Sequence, residues 1–191
     1  MPPLPLEPIT AAEQRARQHG VAQIARLLGF VGRAEYRHIR SQAGGAQFGL
    51  ADVAEEDVLI VYAEAFERDA DPDDFSLEAI VAHERGHQLL ARHPRLSRNL
   101  PVAWSEVSEE IVASLLGSLL VQNEKDQQEL LLKALFEADK HGMEPDRATL
   151  FIMELRPFWR ECYDGTDEAE HDSRGSSHGV QDAGCQAPCL V

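Results

Sequence analysis

Apolar and polar residues alternate along the chain in patterns that predict a helix first, then strands, then further helices. Thr10 followed by Glu13 has the spacing of a helix-capping box, so we expect a helix to begin there, to break near Gly20 and then to continue. The segments AQFGLADV (46–53) and DVLIVYAEAF (57–66) are rich in Val, Ile, Phe and Tyr, and both predict strands.

The second half of the chain has the apolar spacing of helices. Ser76 or Asp74 is a suitable N-cap for the first of them, and Gly142 is a suitable end for the third. The helices are expected over 75–93, 105–122, 125–142 and 145–159. The order of elements predicts an α+β fold, in which a small, mostly antiparallel sheet packs on the first of these helices and the additional helices lie behind it.

Length and composition favour one globular domain. The chain has 191 residues and is 43% hydrophobic, which suffices for a sizeable core. We expect a disordered lead-in over 1–9, a single domain over 10–160 and an acidic, disordered tail over 161–191. The three cysteines lie at or beyond residue 162, which is not the pattern of a disulfide framework.

The net charge of −15 at pH 7 makes direct binding of nucleic acid unexpected. No apolar run has the length of a membrane span, and the first residues do not have the pattern of a signal peptide. These features together favour a cytoplasmic protein that does not bind membranes.

The stretch HERGH, residues 83–87, has the spacing of a zinc site. His83 and His87 are one helical turn apart on the same face, so both imidazoles can reach one ion. Glu84 follows the first histidine, and its carboxylate can act as a general base towards a water molecule at the ion. A catalytic zinc site needs a third protein ligand as well.

One option for the third ligand is His93, as in the metzincin pattern His-Glu-x-x-His-x-x-Gly-x-x-His. That pattern requires a glycine at the place where this chain has Leu90. If the helix continues, His93 lies about 240° round from His87 and points away.

The other option is a glutamate on the next helix, as in gluzincins. The segment 105–122 offers Glu106, Glu109 and Glu110. Glu109 and Glu110 differ by about 100° in direction round a helix, so one of them faces the motif better than the other. Glu106 lies one turn before Glu110 and could instead hold a ligand histidine by its free N–H.

The motif helix followed by EEIVASLLGSLL resembles the ImmA/IrrE family of zinc metallopeptidases. In that family a His-Glu-x-Gly-His-x-Leu-Leu helix precedes a Glu-x-x-Ala-Asn/Asp helix, and the resemblance covers residues 46–121. It implies that His83, His87 and Glu110 bind Zn²⁺ and that Glu84 is the catalytic base. Ser114 stands in the place of the family's Asn or Asp.

The resemblance also implies a zincin-like fold and a function. We expect a zinc-dependent endopeptidase that cleaves a protein substrate, such as a helix-turn-helix transcriptional repressor. The alternative is a catalytically inactive, zinc-stabilised protein-interaction module. Candidates for an oxyanion-stabilising group are, by residue type alone, Tyr36, Tyr62, His93 and His141. The predicted strand over 57–66 is either an edge strand that could bind an extended peptide or an ordinary core strand.

Overall fold

The computed structural model describes residues 6–41, 44–50, 56–71, 73–93 and 109–144, together with 146, 149, 150 and 153. Its helices are α1 (Ala11–Leu27), α2 (Ala63–Asp69), α3 (Leu77–Arg92), α4 (Glu109–Leu120) and α5 (Glu124–Lys140). Its strands are β1 (Arg33–Arg37), β2 (Ala46–Gly49) and β3 (Val58–Tyr62). Across these ranges no helix has the length and apolar character that crossing a membrane requires. Glu106, the tail over 161–191 and almost all of the predicted helix over 145–159 lie outside the described residues.

The predicted α+β class is confirmed, but the sheet is mixed. The strand order is β1–β3–β2, with β1 parallel and β2 antiparallel to β3. The expectation of a mostly antiparallel sheet is wrong because it did not include β1. The sequence of β1 is RAEYR, in which three of the five residues are charged. This composition does not indicate a strand, although Tyr36 is buried in the core.

Helix α1 confirms the predicted cap and corrects the predicted break. The Thr10 hydroxyl accepts a hydrogen bond from the backbone N–H of Glu13 at 3.1 Å. The helix then runs through Gly20 without interruption. A glycine inside a helix costs only about 1 kcal/mol, and the burial of Val21 and Ala25 offsets that cost.

The segment predicted as one strand over 57–66 divides into a strand and a helix. β3 ends at Tyr62, and the following residues, AEAFERD, form α2 because Ala, Glu and Arg favour helix. β3 also occupies the centre of the sheet, so of the two alternatives for this segment the core strand is correct and the edge strand is not.

Helix α3 lies between two apolar cores. Its first half, including Leu77, Ile80 and Val81, packs with α1 and the sheet. Its last turns, including Leu89 and Leu90, pack with α4 and α5. A helix covered on both sides presents few side chains to solvent, and eleven of its sixteen residues are buried. The HERGH motif therefore lies in the most enclosed helix of the described chain.

Two glycines let α3 and α4 approach at backbone distance. A Cβ atom at Gly86 would overlap the backbone carbonyl of Ala113, and a Cβ at Gly117 would lie 2.9 Å from the carbonyl oxygen of Ala82. Both contacts involve backbone atoms, which cannot rotate away. The helices can therefore be this close only while both positions lack a side chain.

Arg85, the charged residue inside the motif, faces a buried polar network that joins α3 to the α1–β1 connection. Its Nη1 donates to Gln88 Oε1 at 2.7 Å. The Gln88 amide donates to the Val31 carbonyl and, at 2.6 Å, to Asp57 Oδ2. Arg92 forms an ion pair with the same Asp57 carboxylate. The network gives the buried Arg85 a polar partner in Gln88, whose amide in turn contacts the Asp57 carboxylate.

We expect Gly86→Ala to lower the free energy of unfolding by about 3 kcal/mol, since the added methyl group must push two helices apart. Gly20→Ala is the matched control: nothing lies within 4 Å of its Cβ position, and the change raises stability by about 0.5–1 kcal/mol. Urea denaturation followed by circular dichroism measures both. Equal stabilities for the two variants would contradict the close helix crossing.

Candidate metal centre

The two motif histidines direct the same ring nitrogen to one point. His83 is buried and His87 is half-buried, and their Nε2 atoms are 3.2 Å apart. They lie one turn apart on α3, so the helix itself sets their spacing.

Glu110 at the start of α4 completes the group. Its Oε2 is 3.1 Å from His83 Nε2, and its Oε1 is 3.2 Å from His87 Nε2. Among the described residues these three side chains form the group that could hold a metal ion. His93 is not part of it, because it ends α3 as the C-cap.

The spacing of the three side chains fits zinc. A tetrahedral zinc ion with bonds of about 2.0–2.1 Å holds neighbouring ligand atoms about 3.3 Å apart. The Nε2–Nε2 distance of 3.2 Å is close to that value, and each Nε2 has one oxygen of the Glu110 carboxylate at 3.1 or 3.2 Å. Two imidazoles and one carboxylate are also a donor set that zinc accepts with a fourth position left open.

The second nitrogen of each histidine is held by a neighbour on α4. His83 Nδ1 is 3.1 Å from Ser114 Oγ, and His87 Nδ1 is 3.0 Å from Glu109 Oε1. These contacts orient both rings so that Nε2 faces the centre. The two candidate glutamates therefore have different contacts. Glu110 lies near the Nε2 atoms of both histidines, whereas Glu109 contacts the Nδ1 atom of His87.

The hydrogen bonds of Ser114 determine the tautomer of His83. The hydroxyl donates its single hydrogen to the backbone carbonyl of Glu110 at 2.8 Å, so Oγ accepts from His83 Nδ1–H. His83 Nε2 is then a lone pair that faces the carboxylate of Glu110, which is also an acceptor. A cation between these two acceptors would convert a repulsive contact into two favourable ones.

The protonation of the centre follows from burial and from these contacts. Burial lowers the pKa of His83 to about 4, so its imidazole is neutral at pH 7. Burial acts to lower the pKa of His87, but hydrogen bonds to Glu110 and Glu109 outweigh it and raise that pKa. A metal ion would therefore displace a proton from His87.

Glu84 lies beside the centre without belonging to it. Its side chain lines the same cavity as His83 and Glu110. Burial raises the pKa of Glu84 and the charge of Glu110 adds to that rise, while His87 and the backbone amide of Phe48 oppose it. A carboxylate with a raised pKa is a better proton acceptor, as a general base requires.

The cavity has a volume of about 290 Å³ and an apolar wall. The polar and charged residues that line it are Arg68, His83, Glu84, Glu110, Lys133 and Glu137. The apolar residues that line it are Ala46, Phe75, Ala79, Ile80, Leu130 and Phe136. The space is large enough for a bulky side chain next to the polar groups.

One residue at the cavity was missed from sequence. Lys133 on α5 places its Nζ 3.0 Å from Glu110 Oε2 and lines the cavity. The signal was weak: a single lysine beside the buried stripe of Leu130 and Ala134 on a helix that has several charges. Only the packing of α5 on α4 brings it to the centre.

The residues proposed by type as oxyanion stabilisers lie elsewhere. The Tyr36 hydroxyl contacts Arg17 and His38, and the Tyr62 hydroxyl donates to Gln47 at 3.2 Å. His93 and His141 are the C-caps of α3 and α5. All four are absent from the described residues that line the cavity.

We expect Ser114→Ala to weaken zinc binding by about 10–100-fold, because His83 loses the partner that fixes its ring. Ser118→Ala is the control, since that buried hydroxyl donates to the Leu115 carbonyl. Competition with a chromogenic chelator measures both affinities. Equal affinities would show that the contact with His83 does not orient the ring.

We expect Glu110→Ala to abolish stoichiometric zinc binding and Glu109→Ala to weaken it by about tenfold, because the first removes a ligand and the second removes a support. His93→Ala should leave zinc content unchanged. Elemental analysis of the purified variants measures the zinc content of each. Loss of zinc in His93→Ala with retention in Glu110→Ala would restore the metzincin alternative.

Comparison of the chain with protein-family models, with curated proteins and with solved structures finds no match. A functional assignment therefore depends on the chemistry that these residues can perform. The grouping of His83, His87 and Glu110, with Glu84 in the adjoining cavity, is the feature that indicates a function.

Proposed function

We propose that the protein is a zinc-dependent endopeptidase of the gluzincin type, similar to the ImmA/IrrE family. The observation that carries the proposal is the three-residue group at the spacing of a zinc coordination sphere, with Glu84 beside it at an open cavity. His83, His87 and Glu110 would hold the ion. Zinc, when bound, supplies a Lewis acid that polarises a carbonyl group and activates water.

Glu84 would accept the proton of the attacking water and pass it to the departing amine. Its raised pKa and its place at the cavity support this role. A structural zinc site has four protein ligands and does not need a fifth buried carboxylate. The presence of Glu84 thus favours catalysis over the alternative of an inactive, zinc-stabilised interaction module.

The two edges of the sheet differ in a way that supports an extended peptide substrate. The outer edge of β1 is covered, because the Gln18 amide bonds to the Ala34 carbonyl and the Tyr36 amide at 2.9 and 2.7 Å. The outer edge of β2 borders the cavity through Ala46 and faces Glu84 through the amide of Phe48. A peptide that adds to β2 as a further strand would pass over the centre.

A regulatory protein is the substrate class that the resemblance favours. The ImmA/IrrE family implies a partner such as a helix-turn-helix repressor in the cytoplasm. An extended segment of such a partner could pair with β2, and one of its apolar side chains could enter the cavity. We do not expect the protein to bind nucleic acid or membranes directly.

We expect Glu84→Gln to lower the cleavage rate by about 10²–10⁴-fold while zinc content stays at one ion per chain, because the amide cannot accept the proton. Glu78→Gln on the same helix is the control and should cleave normally. The assay digests a mixed peptide library and counts new termini by mass spectrometry. Zinc-loaded wild type that produces no new termini, in this library or from the host's repressors, would favour the interaction module.

A further inference from the structure

Lys133 brings a positive charge to the rim of the metal centre. Its Nζ is 3.0 Å from Glu110 Oε2, one quarter of its side chain is exposed, and it lines the cavity. An ammonium group has three N–H donors in different directions. One of them can remain on Glu110 while another points to a molecule that occupies the cavity.

The chemistry of peptide hydrolysis needs such a donor. Of the described residues that line the cavity, Arg68, His83 and Lys133 have side chains that can donate hydrogen bonds. His83 belongs to the metal group, and Arg68 pairs with Asp74 through Nε and Nη2 at 2.9 and 2.7 Å. Lys133 differs from Arg68 because it contacts the metal group itself, with its Nζ 3.0 Å from Glu110 Oε2. That contact places its ammonium group next to the reacting position.

We propose that Lys133 is the catalytic residue that stabilises the oxyanion, a role that rests on the proposed peptidase function. Water oxygen bonds to the substrate carbonyl carbon, Glu84 takes the water proton, and the carbonyl π electrons move onto oxygen. Lys133 donates a hydrogen bond to that oxygen and offsets its charge. The electrons then return, the C–N bond breaks, and the amine leaves with the proton from Glu84.

The contact with Glu110 also explains why a lysine fits at this point. Each oxygen of the Glu110 carboxylate faces one imidazole, and Lys133 approaches Oε2 from the α5 side. Its flexible stem lets the ammonium move by a small distance when an oxygen with greater negative charge forms in the cavity. A rigid donor in the same place would remain on the carboxylate.

The test compares Lys133→Met and Lys133→Arg with Lys125→Met, a control on the same helix whose ammonium pairs with Glu129. The probe is the dipeptide N-phosphoryl-Leu-Trp, whose anionic phosphoryl oxygens imitate the tetrahedral state and whose leucine suits the apolar cavity. Its affinity for each zinc-loaded protein is measured by calorimetry. Zinc content is measured in the same samples.

We expect all four proteins to hold one zinc ion and Lys133→Met to bind the probe about 10²-fold more weakly than wild type. Lys133→Arg should recover at least a tenth of wild-type affinity, and Lys125→Met should match wild type. With a cleaved peptide, Lys133→Met should lower kcat by about 10²–10³-fold and change KM by less than about threefold, because the interaction forms only in the transition state.

Equal probe affinity in Lys133→Met and Lys125→Met would overturn the assignment, as would loss of zinc in Lys133→Met or no probe binding by zinc-loaded wild type. Failure of the proposed function has a different signature, in which wild type with zinc bound cleaves nothing. An active wild type together with a Lys133→Met variant at full kcat would refute the lysine's role alone.

Discussion

The close crossing of α3 and α4 is the constraint on which the candidate metal centre depends. Gly86 and Gly117 place the backbones in contact, and the crossing lies within one or two turns of His83 and Glu110. The short side chain of Ser114 can reach a histidine ring only across such a short gap. If the helices were an ångström further apart, the carboxylate of Glu110 would no longer lie within 3.2 Å of both imidazoles.

The centre also has a particular balance of charge. Glu84 and Glu110 bring two carboxylates into a partly buried region, Glu109 brings a third to its exposed edge, and Lys133 brings one positive charge. Burial penalises each isolated carboxylate, so the region favours the arrival of positive charge. In the protein without an ion, part of that charge comes from a proton on His87, whose pKa is raised. A divalent metal ion would supply more positive charge than this single proton.

The sequence predicted those features that depend on nearby residues. The caps at Thr10 and Ser76, the end of α5 near Gly142 and the spacing of the two histidines all follow from short-range rules, and the structure contains them. The charged strand β1 and the uninterrupted α1 were missed because their formation depends on tertiary burial of Tyr36 and Val21. Propensity alone cannot foresee such burial.

The choice among glutamates shows the same limit within the site. Helical geometry gives the 100° difference between Glu109 and Glu110, but only the position of α4 on α3 decides which faces the histidines. The support from Ser114 and the approach of Lys133 depend on that packing in the same way, since both lie far along the chain from His83. A spacing motif can therefore identify the ligands that lie on one helix. It does not determine which residues of other helices complete the site.

The two edges of the sheet differ in what they contact. An unpaired strand edge attracts other strands, and proteins usually cover such edges. Gln18 bonds to the backbone of β1 at two points. Within the described part of the chain, the outer edge of β2 borders the mouth of the cavity, and the amide of Phe48 donates to the carboxylate of Glu84. The contact at this second edge therefore comes from the candidate site itself. The difference between them is understandable if β2 receives a peptide strand, because pairing there would hold a carbonyl group between Glu84 and Lys133.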